Sequence, residues 1–480
     1  MNENLRAIVN DWWNSRSTIL AYKLDTAIGK LDGILSHESR FQSGESEQAG
    51  DQNGSGFGEF AHNLIDESRL ESILTETGRK WAMSARRYQR IQAARKGLAV
   101  LRETFAEWAR AEFLDYTNPD HVSSRYDSHQ NSYADACAML RVADLESGAR
   151  YQPEVHDAFF RNFTWRNLND EEADLAPPCV VHMRPGSQRG ARMGELIELF
   201  SGGRPLKVFV LQEHAVFGTA ATGRAAINQL HPDFGFMGIA LRRVFVVQGV
   251  PGEADLTADI LTGLQSHRPA IFSLLETDPG ANPHLGSAHL AIASRAFPRF
   301  VYNPDAGIAL ADCLDISENP DPDSQWARID DRTITYADFA ARDLRMHSEF
   351  TPFQTEVAHG VAMNNPMDVQ AYLELPAIER RRHTPVVILS NADGNSTRLV
   401  PSRSIIEQTM DRAQLWLNLQ SMAGKGTPHA GAASADPSVA TGAEPTTSAN
   451  KELQQQREEI EQQAVTRAIT NLVARLALGN

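Results

Sequence analysis

Histidine and arginine side chains carry most of the chemistry this sequence offers. His182 ends a short apolar run and is followed by Arg184-Pro-Gly186, with Arg189 and Arg192 just beyond. At the carboxyl end of a parallel strand that feeds a helix N-terminus, such residues face the crevice where nucleotides and diphosphates bind. The helix end offers unpaired N–H groups, and a guanidinium can pair with a phosphate. His214, after Leu211-Gln-Glu213, closes the next apolar run and would face the same crevice. Ordinary loop positions are the competing reading for both histidines. His267, His284 and His289 read as surface or helix-packing residues. The chain has no G-x-S-x-G elbow, P-loop, H-E-x-x-H pair or EF-hand loop. Gly54-Ser-Gly56-Phe-Gly58 has the look of a phosphate-cradling loop, but no strand precedes it and Glu59 stands where its last glycine would be, so it reads as a flexible insert.

The elements that must position these residues lie in the middle of the chain. Cys179–Val181, Leu206–Leu211, Arg243–Gln248 and Ala270–Leu275 are continuous apolar runs, as expected of strands buried on both faces. Helical stretches alternate with them: Gly190–Phe200, with Met193, Leu196, Ile197 and Phe200 on one face, then Asp255–Leu264 and Gly286–Phe297. This alternation predicts right-handed crossovers and a mostly parallel sheet. Phe300–Tyr302 and the turn 303–307 follow, then a hairpin from Val386–Leu389, Asp393-Gly394 and Arg398–Val400. Ser402 opens a helix whose apolar face reads as Ile406, Met410, Ala413 and Leu417.

Residues 1–150 read as helical, with a polar insert at 42–58. From Arg79, the residues Trp81, Tyr88, Ile91, Leu98, Leu101, Phe105 and Trp108 recur at helical spacing and predict one long helix. Residues 423–448 collapse to Ala, Gly, Ser, Thr and Pro, a solvated linker, and 449–480 form a charged amphipathic helix suited to docking or self-association. The expected fold class is therefore α/β, with a helical region before the sheet domain at 177–422 and a linker and helix after it.

Composition excludes several function classes. The net charge of −15, with only seven Lys among 46 basic residues, argues against nucleic acid or an anionic membrane as the main partner. Cys137, Cys179 and Cys313 are too few and too scattered for a disulfide scaffold or a cysteine-ligated zinc or iron–sulfur site, and they suggest a reducing, cytoplasmic setting. The polar stretch Met1–Arg6 does not read as a signal peptide, and no run approaches a spanning helix.

Several segments, in order, resemble the pyruvate:ferredoxin (flavodoxin) oxidoreductases. Arg295-Ala-Phe-Pro298-Arg-Phe-Val-Tyr302-Asn303-Pro304 is similar to that family's helix end and Tyr-Asn-Pro turn. Ser201-Gly-Gly-Arg-Pro-Leu-Lys-Val-Phe-Val-Leu211 resembles its strand after the thiamine-diphosphate loop. Pro232-Asp-Phe-Gly235, Val244-Phe-Val-Val-Gln248 and Arg268-Pro-Ala-Ile-Phe272 match further pieces, and Tyr336-Ala-Asp-Phe-Ala340 and Tyr372-Leu-Glu-Leu375 resemble elements of multidomain relatives. The resemblance covers Pro177 to Gly424.

The resemblance implies a thiamine-diphosphate-binding fold, 2-oxoacid decarboxylation, and electrons leaving through iron–sulfur clusters. Magnesium would bridge the diphosphate to protein oxygens. The family supplies these from a Gly-Asp-Gly strand end and a later Asn. Alignment puts Arg184-Pro-Gly186 at the first place and Phe217-Gly218 at the second, so the Asp and the Asn are both missing and Gly186 alone survives. The family's cluster cysteines are missing too. His182, Arg184, Gly186 and His214 remain as candidate cofactor-binding residues, with no metal ligand and no catalytic residue identified. The expectation is a degenerate thiamine-fold subunit or module with a structural role, held to other oxidoreductase subunits or to itself. One alternative is an active 2-oxoacid enzyme rebuilt around His182, Arg184 and His214, with Arg184, Arg189 or Arg192 neutralising a phosphate directly, or completed by a partner chain. The other is a scaffold protein, since the N- and C-terminal helices both present apolar stripes.

Overall fold

The computed structural model describes residues 3–43, 83–212, 233–253, 255–275, 287–354, 357–358, 361–362, 365–390 and 396–425. Most of the insert 42–58, the residues 213–232 that hold His214 and Phe217-Gly218, His284, the turn at Asp393-Gly394, and 426–480 lie outside these. Residues Met1–Gly426 and Thr427–Asn480 are separate units, so nearly all of the expected linker and the whole C-terminal helix fall in the second.

Helix α1 (Glu3–Ser43) covers 41 residues and takes in the first two positions of the expected insert. Helix α2 (Ala85–Glu103) begins where the Ser84 side chain accepts from the Arg87 N–H, and α3 (Pro119–Ser147) where Asn118 accepts from the His121 N–H at 2.8 Å with Pro119 in the first turn. Leu24 and Leu31 of α1, Ile91 and Leu98 of α2 and Ala143 of α3 share one core. The long helix expected through Trp108 stops at Thr104, whose hydroxyl donates to the Val100 carbonyl, and a separate turn of helix spans Phe105–Trp108.

Seven strands form one sheet: β1 (Glu112–Asp115), β2 (Cys179–Met183), β3 (Lys207–Gln212), β4 (Phe245–Gly249), β5 (Ala270–Leu275), β6 (Phe300–Tyr302) and β7 (Leu314–Asp315), in the order β1-β2-β3-β5-β4-β6-β7. The first five in that order run parallel, while β6 and β7 add antiparallel at the edge. The protein is α/β, with a mixed, mostly parallel sheet flanked by helices. Strand β1 lies within the stretch expected to be helical and pairs Glu112 with Cys179.

Four further helices cover the sheet: α4 (Arg189–Ser201), α5 (Phe234–Ala240), α6 (Leu256–Gln265) and, after the short α7 (Ser287–Ala293), α8 (Arg403–Met422). Val181, Val208, Val210, Val246 and Ile271 pack on one face with Leu196, Leu199, Phe234, Met237 and Trp416. Val180, Phe209, Val247, Phe272 and Leu274 pack on the other with Leu256, Ile260 and the α1 residues Leu5 and Val9. Burial on both faces is why these strands read as unbroken apolar runs. Helix α5 approaches β4 closely enough that a Cβ at Gly238 would stand 2.5 Å from Val246 Cγ2.

Residues Thr384–Ser390 and Ser396–Pro401 form the expected antiparallel pair, flanked by Phe350–Pro352 and Pro366–Asp368 in a smaller sheet. Ser402 caps α8 as expected, yet the buried face runs through Ile405, Thr409, Arg412, Ala413, Trp416 and Leu419, leaving Met410 and Leu417 exposed. Trp416 sets that rotation. Its indole N–H donates to the Ser324 carbonyl, and the fully buried Arg295 guanidinium lies 3.9 Å over its ring.

Candidate functional site

The parallel strands all point their carboxyl ends to one edge, and the described candidates gather there. His182 is the fourth residue of β2. Its side chain turns to the face opposite Val181 and Met183, with Nδ1 3.2 Å from Asp115 Oδ1 at the end of β1. Burial holds its imidazole below the ordinary 6.5, opposed by the Asp115 hydrogen bond. His182 Nε2 is buried and, among the described residues, without a hydrogen-bond partner. An imidazole with one nitrogen held by a carboxylate and the other unengaged has the form of a general base.

Arg184 is exposed on the same edge, and Pro185 is buried. Gly186 has a φ of +51°, and a Cβ there would meet nothing within 4 Å, so backbone conformation alone calls for glycine. Arg192 turns away, with its Nη1 2.9 Å from Glu195 and its guanidinium 5.0 Å over the Tyr116 ring.

A second group, of which the sequence reading named only Arg189, crosses the strand ends on the α4 face. The Arg189 guanidinium, at the start of α4, donates to Gln212 Oε1. Gln212 Nε2 donates to Ser273 Oγ at 2.6 Å, and Ser273 Oγ donates to Gln248 Oε1 at 3.3 Å. Gln248 Nε2 ends the row on the Pro298 carbonyl at 3.0 Å. The three strand side chains belong to β3, β5 and β4, which the sheet order makes neighbours, and all are buried. Burial also lowers the Arg189 guanidinium from its ordinary value, while Asp233 favours its charge. The signal was in the sequence: a Gln or Ser inside a strand buried on both faces must find a partner there.

At the opposite edge, Lys207 opens β3 fully buried. Its ammonium donates to the carbonyls of Gly263, Ser266 and Arg268 at the end of α6, at 3.0, 2.5 and 2.8 Å. Desolvation pushes it from 10.5 to about 7.

Magnesium tests the donor set. It takes carboxylate, amide-carbonyl and water oxygens, whereas position 184 offers a guanidinium with no acceptor atom. Asp233 accepts from the Phe236 N–H as the cap of α5, and Asp115 faces His182. Among the described residues no three His, Cys, Asp or Glu side chains group as a metal site. The described part of this edge does not fit a magnesium–diphosphate clamp. Among the same residues no helix is long and apolar enough to cross a membrane. No protein-family model and no curated protein matches the chain.

Proposed function

We propose that this chain is a thiamine-diphosphate-fold subunit or module of a 2-oxoacid:acceptor oxidoreductase system, with a degenerate cofactor site and a role in assembly. The observation that carries the reading is Arg184 at the carboxyl end of β2, where the resembled family places a magnesium-binding carboxylate. The resembling segments also fall in order on β3, α5, β4, β5 and β6 of a mostly parallel sheet. Three buried free cysteines agree with a reducing, cytoplasmic setting. Its partners would be cluster-bearing oxidoreductase subunits or further copies of the chain.

Isothermal titration with thiamine diphosphate, with and without magnesium, tests the degenerate site. No magnesium-dependent binding is expected, and tight binding that requires the metal overturns the reading. Removing 423–480 should lower the mass seen by light scattering if the chain self-associates through that segment.

A second reading rests on the Asp115–His182 pair: an active 2-oxoacid enzyme in which His182 Nε2 takes a proton and Arg184 holds the anionic substrate. Turnover of a 2-oxoacid panel with an artificial electron acceptor, lost in His182→Gln, would favour it. No turnover by the chain or its complex removes it.

A further inference from the structure

Away from the sheet, α1, α3, the helix Pro153–Arg161 and residues 169–175 line an open cavity of about 650 Å³. That is the size range of small-molecule sites, roughly 300–1,000 Å³. Its floor is apolar, with Leu20, Tyr133 and Cys137 buried beneath it. Phe160 lines it too, and Phe159 stands 41% exposed at its side.

The rim is charged, and most of its charges cancel. Arg141 pairs with Glu172, and Asp144 with Arg150. Lys23 and Lys30 line the rim from α1 and, among the described residues, make no ion pair, and Glu171 is the third lining carboxylate. His156 Nδ1 accepts from the Gln152 N–H at 2.9 Å, so its Nε2 carries the proton and adds a donor to the rim. The wall is thus apolar below and rich in donors above, and its lining cations and carboxylates balance, with Arg141 and Asp144 already paired and the two α1 lysines not.

We propose that this cavity binds an amphiphilic monoanion, an aliphatic or aromatic body headed by one carboxylate or sulfonate, with the body on Leu20 and Phe160 and the head at Lys23 and Lys30. The proposal is independent of the 2-oxoacid reading, since the cavity shares no residue with the strand-end site.

Fluorescence titration of the full chain tests it, using anilinonaphthalene sulfonate and its uncharged parent, phenylnaphthylamine. Saturable one-site binding of the sulfonate is expected, tighter than that of the neutral parent. Displacement by decanoate assigns an aliphatic body and by naphthoate an aromatic one. Lys23→Glu and Lys30→Glu, both exposed and harmless to folding, should each weaken binding by about fivefold or more. Ala27→Trp, which fills the cavity, should abolish it. The proposal is overturned by no saturable binding, by equal affinity for the neutral parent, by displacement with neither acid, or by binding unchanged in the lysine variants.

Discussion

Lys207 makes stability depend on pH in a direction the structure fixes. Its ammonium lies fully buried against three carbonyls that end α6, and desolvation lowers it from 10.5 to about 7. Between those values the unfolded chain binds a proton that the folded chain does not, so stability rises with pH across the window. A full proton difference corresponds to about 1.4 kcal/mol per pH unit. Half-protonation of the folded state near its own midpoint reduces this, leaving a gain of about 2 kcal/mol from about pH 7 to about pH 9. Other groups titrate nearby; the buried Cys137 thiol, pushed up to about 12, works in the opposite sense. Lys207→Met isolates the lysine because it keeps the stem and removes the charge. Urea unfolding of both proteins at several pH values should show the difference between them growing by about 2 kcal/mol in favour of the native chain. Parallel curves would refute the reasoning: the three carbonyls would then hold the ammonium charged despite its burial.

Four further outcomes concern the sheet and the helix α4 that covers it. Gly238→Ala should destabilise by about 1–3 kcal/mol, because the new Cβ would lie 2.5 Å from Val246 Cγ2. Gly194→Ala, in α4 with nothing within 4 Å, should instead be neutral or stabilising by up to about 1 kcal/mol, both read from urea midpoints. Gln212→Leu should cost about 1–3 kcal/mol, since it removes the donor to the buried Ser273 hydroxyl and the bond that Gln212 accepts from Arg189. Burial holds the His182 imidazole below 6.5 in the folded chain, so the unfolded state gains the extra proton and stability falls as pH drops below that value. His182→Gln should flatten this fall, and a thermal-midpoint series across that range that leaves the two curves parallel would count against it.

Much of the architecture was legible because local pattern reports burial. Apolar runs without alternation marked β3, β4 and β5 within a residue or two, and Ser402 marked the start of α8. The rotation of α8 was not legible: Met410 and Leu417 fit an apolar stripe as well as Ile405 and Trp416, and the contact of Trp416 with Arg295 chose between them. Among the site residues, His182 was placed correctly at a strand end, His214 lies outside the described residues, and Asp115 was missed because β1 is four residues long within a helical stretch.

By itself the sequence determined the types of element, their order, and the presence of a guanidinium rather than a carboxylate at position 184. Tertiary structure alone decided that β5 inserts between β3 and β4, and that β6 runs antiparallel to β4. Only that order lines up Gln212, Ser273 and Gln248 side by side, and only the packing of α6 over the start of β3 buries Lys207. The reason is physical: periodicity and propensity act over a few residues, while strand neighbours and the burial of a charge are set by contacts between segments far apart in the chain.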